Sequence, residues 1–273
     1  MGLFDRFFSP KTLKAGTVDS SGGLRIDRFV APPPTPGNVG VCLSGGGSRA
    51  MTAGMGQLRA LSYLQRNGTS LLAQTRALST VSGGSWVGQT FSYLSGPTTD
   101  EGLLNRYVED PGRLVPSATP GHNQSETLNE LPEDNLGLCI GTRMFSPPGL
   151  AVSAYLLWRF LDVPPEMLWQ TLVGTNILRR YGLYTPSRRR APDSLFSFDA
   201  QVLERDVLGP NPDLEEEQAA IHLVASGPGR VQRPFPICNM AMFLEKDANG
   251  FNRLAAVQST PFITGIPGIP EGK

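Results

Sequence analysis

One pattern, used twice within 60 residues, restricts this chain more than any other feature. Asn38–Leu43 (NVGVCL) is a short apolar run that ends in Ser44-Gly45-Gly46-Gly47-Ser48-Arg49. Such a run reads as a buried strand. A helical pattern follows, with Met51, Met55, Leu58 and Leu61 spaced four, three and three. Asn67-Gly68 is expected to stop it. Arg76–Val81 (RALSTV) then reads as a second strand that runs into Ser82-Gly83-Gly84-Ser85-Trp86. A second helix follows, with Val87, Phe91 and Leu94 on one face, closed by Gly96-Pro97. Two strands joined through a helix lie parallel, so the segment is read as a βαβ unit.

The two glycine-rich turns suggest chemistry. At a strand-to-helix turn the first backbone N–H groups lack helical partners, and the helix dipole adds positive potential. Glycine allows an anion close to that backbone. The first turn is not a P-loop, since no Gly-Lys-Ser/Thr follows, and it is not a dinucleotide fingerprint, since Ala50 stands where the third glycine belongs. The second turn, Thr80-Val81-Ser82-Gly83-Gly84, approximates a nucleophile elbow with Thr80 in place of the first glycine. Serine beside glycine is common in turns, so neither turn defines a site alone. Together they do more. Gly46 and Ser82 are 36 residues apart, one βαβ unit, which brings both turns to the carboxyl edge of a parallel sheet. Ligands bind at that edge. A hydroxyl beside a row of free N–H groups is the minimum for acyl transfer.

The remaining sequence excludes several classes. The 273 residues carry 24 basic and 24 acidic side chains, so there is no polybasic surface for nucleic acid. No apolar run is long enough to cross a bilayer. Cys42, Cys139 and Cys238 are scattered and odd in number, and with only His122 and His222 they form neither a zinc pattern nor a disulfide framework. Residues 1–36 read as a Pro- and Gly-rich leader, with Phe4, Phe7 and Phe8 expected to dock on the domain. Residues 37–273 read as one α/β domain, with 97–195 as an insertion or lid region. Within it Val152–Leu161 is expected to be a core or lid helix, and Leu156, Leu157, Leu161, Trp158 and Trp169 are expected in the core, with the lining of a lipid pocket as the functional alternative. Arg179-Arg180 and Arg188–Arg190 read as solvated basic loops, with anionic lipid as the functional alternative. Asp213–Glu217 reads as a solvated helix start, residues 194–208 as helical, and Ala219–Ala225 as a third buried strand. Ile237–Leu244 and Phe251–Val257 flank a Gly-containing turn, a hairpin pattern.

The strings Ser44-Gly45-Gly46-Gly47-Ser48-Arg49-Ala50-Met51 and Ser82-Gly83-Gly84-Ser85-Trp86 resemble the cytosolic phospholipase A and phospholipase B group of the patatin-like superfamily. The match covers about residues 38–97, with a weaker echo over Pro234–Gly268. The resemblance implies a three-layer α/β/α fold with a mostly parallel central sheet. It implies hydrolysis of phospholipid or lysophospholipid acyl esters by a Ser–Asp dyad, without cofactor, metal or catalytic histidine. The nucleophile falls on Ser82, ahead of Ser85, which lies about one turn into the helix. The oxyanion donors fall on Gly46 and Gly47 with Gly45 in support. Arg49 falls on the arginine that orders the loop or binds a substrate phosphate, work suited to a planar guanidinium. A phospholipid membrane surface is the implied partner, and a cytoplasmic, membrane-peripheral location the implied setting. The family's aspartate lies in an Asp-Gly-Gly, Asp-Gly-Ala or Asp-Ser-Gly turn, and this sequence contains none. Asp19, Asp199 and Asp247 are poor substitutes. The expectation is therefore an N-terminal part of a larger catalytic unit, its sheet unfinished, with a second polypeptide segment supplying the aspartate.

Overall fold

The computed structural model describes residues 39–110, 133–140, 146–184, 194–212, 220–224, 227–246, 250 and 252–266. The leader, Asp19, His122, Arg188–Arg190, the Asp213–Glu217 run and Asp247 lie outside the described residues.

The protein is a mixed α/β structure. Strand β1 (Val39–Leu43) leads through the Gly45–Gly47 turn into helix α1 (Gly47–Tyr63). A small hairpin follows, β2 (Gln65–Arg66) and β3 (Thr69–Ser70), and then β4 (Thr75–Val81) and α2 (Gly83–Ser92). Next come α3 (Asp100–Leu104), α4 (Leu136–Ile140), α5 (Pro147–Leu161) and α6 (Leu168–Asn176). Strands β5 (Ser194–Ser197) and β6 (Ala220–Leu223) form a separate parallel pair. The long β7 (Phe235–Lys246) and β8 (Asn252–Ser259) with the short β9 (Thr264–Gly265) complete the main sheet.

That sheet has the order β1-β4-β7-β8-β9. Its first three strands are parallel, and β8 and β9 extend it antiparallel. The pattern follows from the connections: helices lie between the parallel strands in the chain, and only five residues separate β7 from the antiparallel β8. Leu43 on β1 and Leu78 on β4 point into one core with Met51, Leu58, Val87 and Phe91 from α1 and α2. Cys42 and Val81 alternate to the other face and are exposed.

A buried ion pair fastens β7 to the helices. The Arg233 guanidinium, 1% exposed, bonds both oxygens of Asp100 at the start of α3, donates to the Phe91 carbonyl at 2.8 Å and lies 3.6 Å above the Phe91 ring. Asp100 also accepts the Val231 N–H at 2.8 Å.

Several expectations require correction. The 38–43 strand is not buried, because β1 is an edge strand, and only Leu43 is buried. Helix α1 ends at Tyr63, before Asn67-Gly68. That pair instead turns the β2–β3 hairpin, with φ of 54° and 75°, as a tight hairpin turn demands. Residues 194–208 are not one helix. They begin as β5, whose pairing with β6 overrides local preference, and become helical only at Ala200–Val202 and the π-helical turn Leu203–Leu208. Helix α5 forms where expected, with Ser146 accepting the Gly149 N–H at its start. Its apolar side chains are not core: Leu156, Trp158 and Leu161 are exposed, as is Trp169 on α6, and Leu157 is only half-buried.

Candidate active site

Ser82 sits between the last residue of β4 and the first of α2, with φ 52° and ψ −122°. A side-chain-bearing residue rarely adopts a positive φ, and in this region it is strained by about 1–3 kcal/mol. The strain has a local cause. The chain must turn sharply from strand to helix while packed against the first glycine turn. A Cβ on Gly83 would lie 2.0 Å from the Gly47 carbonyl oxygen, and one on Gly84 2.5 Å from that of Leu43. Only glycine fits at either position. The Ser82 carbonyl accepts the Ser85 and Trp86 N–H groups, opening α2, and its side chain is left exposed.

The first turn meets the second at the serine. A Cβ added to Gly45 would stand 3.0 Å from the Ser82 Cβ and 3.7 Å from its Oγ. Gly46, with φ 140°, is the cap of α1, and Gly47, with φ 64°, is its first residue. No side chain caps this end and no acidic residue lies in its first turn. The leading amides of α1 thus face outward with the helix dipole behind them. Arg49 is exposed in that first turn. The structure thus brings Gly45 and Ser82 together and seats Gly46, Gly47 and Arg49 at the adjoining helix start.

Beneath the serine lies a polar network that sequence reasoning missed. Thr80 Oγ1 donates to the Ile237 carbonyl and accepts from Ser85 Oγ and Gln89 Nε2, both at 3.1 Å. Ser85 is therefore held inward, and Cys238 Sγ lies 3.6 Å from its hydroxyl. Asn239, beside Val81 in the β4–β7 register, donates to Ser79 Oγ at 2.8 Å and to the Thr80 carbonyl at 3.0 Å. Gln258 on β8 in turn donates to Asn239. Asn239 is 160 residues from Ser79 in sequence, and no local pattern announces such a contact.

Among the described residues no carboxylate or imidazole is hydrogen-bonded to Ser82. Asp100 is held by Arg233, and Asp199 caps the Val202 N–H. His222 lies in β6 against the Phe196 ring, and burial lowers its pKa, so it favours the neutral form. Its Nε2 is buried with no hydrogen-bond partner among the described residues. The described residues contain no cluster of His, Cys, Asp and Glu able to hold a metal ion. One further contact borders the site. Trp86, one turn past Ser82, packs against Trp169 of α6 with ring centroids 6.1 Å apart.

Comparison with protein-family models, with curated proteins and with solved structures finds no significant match.

Proposed function

We propose that this protein is a serine acyl-hydrolase of the patatin-like type, acting on phospholipid or lysophospholipid acyl esters. The observation that carries the reading is the conformation of Ser82: an exposed hydroxyl on a strained strand-to-helix turn, with a glycine-lined helix start packed beside it. Turns of this kind present a nucleophile and leave room for the tetrahedral carbon. Ser82 Oγ attacks the ester carbonyl and gives its proton to a base. The amides of Gly46 and Gly47 receive the oxyanion, and each such donor contributes about 3–4 kcal/mol to lowering the barrier. The alcohol leaves, and water then releases the acyl group from Ser82. Arg49 orders the loop or meets the substrate phosphate. A serine hydroxyl needs a base, and none of the described residues takes that place. In this reading the base is an aspartate outside the described residues, and the protein works at a membrane surface.

The test is covalent. A fluorophosphonate should label Ser82, and Ser82→Ala should remove the label while leaving the circular dichroism spectrum intact. Label retained in that variant moves the role to another residue. That no carboxylate or imidazole among the described residues bonds Ser82 also favours a second reading, a lipid-binding or assembly module of the same fold without catalysis. Phospholipid binding with no labelling, even when a downstream segment is supplied, would support that reading.

A further inference from the structure

Helix α5 breaks the usual relation between composition and burial. It has 15 residues, of which Arg159 is the one charged residue. A helix apolar on all sides is normally buried. Here only Ser153 is buried, while Val152, Tyr155, Leu156, Trp158, Phe160 and Leu161 are exposed, Phe160 at 68%. At about 100° per residue, the exposed side chains from Trp158 round to Phe160 span an arc of about 200°. The half-buried Leu157 lies on the opposite side, and the buried Ser153 falls just beyond Phe160, so the helix rests on the protein along that flank. A solvent-facing helix ordinarily reverses this arrangement.

We propose that this arc of α5 docks on a phospholipid bilayer and sinks to the depth of the headgroups. Three observations select that occupant. Tyr155 and Trp158, in edge contact, are of the two types enriched where hydrocarbon meets headgroup, and Phe160 adds to the apolar face. The helix carries no acidic residue, and Arg159, midway along the arc with its guanidinium 5.8 Å from the Phe160 ring, has a stem long enough to lift its charge from the apolar face to the headgroups. A cation there complements lipid phosphate. Finally, the surface is continuous with the candidate site. Leu156, Leu157 and Phe160 share an apolar cavity of about 320 Å³ with Leu172 of α6, and α6 begins beside Trp169, which packs on Trp86 one turn past Ser82. Through α6 the α5 surface thus connects to α2, the helix that follows Ser82. At 15 residues the helix is too short to span a bilayer, and no helix among the described residues is long and apolar enough to do so. It lies in the interface.

The choice of a lipid occupant rests on the acyl-hydrolase reading, and the test separates the two. The full chain is mixed with vesicles of phosphatidylcholine and phosphatidylserine and sedimented, alongside the double variant Trp158→Ser/Phe160→Ser. Both substitutions are at exposed positions, and circular dichroism and Tm establish that the variant folds. The expected result is vesicle binding by the wild type, quenching of its tryptophan emission by brominated lipid, and a loss of binding of about tenfold or more in the variant. Equal binding by the two chains overturns the proposal. So does a wild type that ignores vesicles but sediments as a dimer that the variant dissolves, since α5 then meets a second copy. Fluorophosphonate labelling of the wild type without vesicles reports the hydrolase reading separately. Trp158-dependent binding without labelling keeps the docking face and removes the hydrolase, and labelling without vesicle binding does the reverse.

Discussion

Replacing Ser82 with glycine should make the protein more stable, and replacing it with alanine should not. The difference isolates the backbone. At φ 52° and ψ −122°, Ser82 occupies a conformation that a residue with a Cβ adopts at an expense of about 1–3 kcal/mol. Glycine removes that strain. It also adds freedom to the unfolded chain, which costs about 0.4–1 kcal/mol. The net gain expected for Ser82→Gly is about 1 kcal/mol, or about 2–4 °C in Tm for a chain of this size. Alanine keeps the Cβ and the strain. It removes only an exposed hydroxyl, so its effect should lie within about 0.5 kcal/mol of zero. Urea denaturation of wild type, Ser82→Ala and Ser82→Gly, with matched slopes, measures all three. If the glycine variant is no more stable than the alanine variant, Ser82 is not strained, and the elbow reading loses its foundation. The serine is retained at a destabilised position, as expected where function and stability compete.

Gly83→Ala should do the opposite: its Cβ would be 2.0 Å from the Gly47 oxygen and 2.8 Å from the Gly47 carbon, so α1 and α2 must part. A loss of about 1–3 kcal/mol or more is expected by denaturant titration, together with loss of fluorophosphonate labelling. Asp100→Ala leaves the buried Arg233 guanidinium without its carboxylate and should destabilise by about 3–5 kcal/mol, and Asp100→Leu with Arg233→Met should recover part of that. His222 supplies a pH dependence. Burial lowers its pKa below the ordinary 6.5, so the unfolded chain takes up the proton first as pH falls. The stability tied to the neutral ring is complete above about pH 6.5 and declines below it. Tm measured from pH 7.5 to 5.5 should fall less in His222→Phe than in the wild type, and equal falls would show that His222 does not titrate on unfolding.

The candidate site was legible to the extent that it is local. A glycine that must admit a neighbouring backbone and a serine on a tight turn leave marks within a few residues of themselves, and Gly45–Gly47 and Ser82 were readable for that reason. Their spacing gave the parallel β1–β4 pair, because a helix crossover has a characteristic length. Thr80, Gln89 and Asn239 were not readable. Thr80 stood out in the sequence only as a departure from the elbow pattern, and the structure makes it the hub of the network under the serine.

By itself the sequence determined the two glycine turns and the alternation of strand and helix around them, since apolar period and glycine act over one or two turns. It correctly announced a helix at 152–161 and a hairpin across 237–257. Only the tertiary structure decided what each apolar face meets. The run at 38–43 reads like a central strand but lies at an edge, because sheet order depends on which partner arrives beside it, and β7 comes from about 160 residues away to pair with β4. The 194–208 stretch became partly strand for the same reason. Helix α5 has the composition of a core helix and lies open, because periodicity records that a side chain is apolar and not whether anything covers it. Burial is a relation between distant segments, fixed by packing the whole chain at once, and a local pattern cannot contain it.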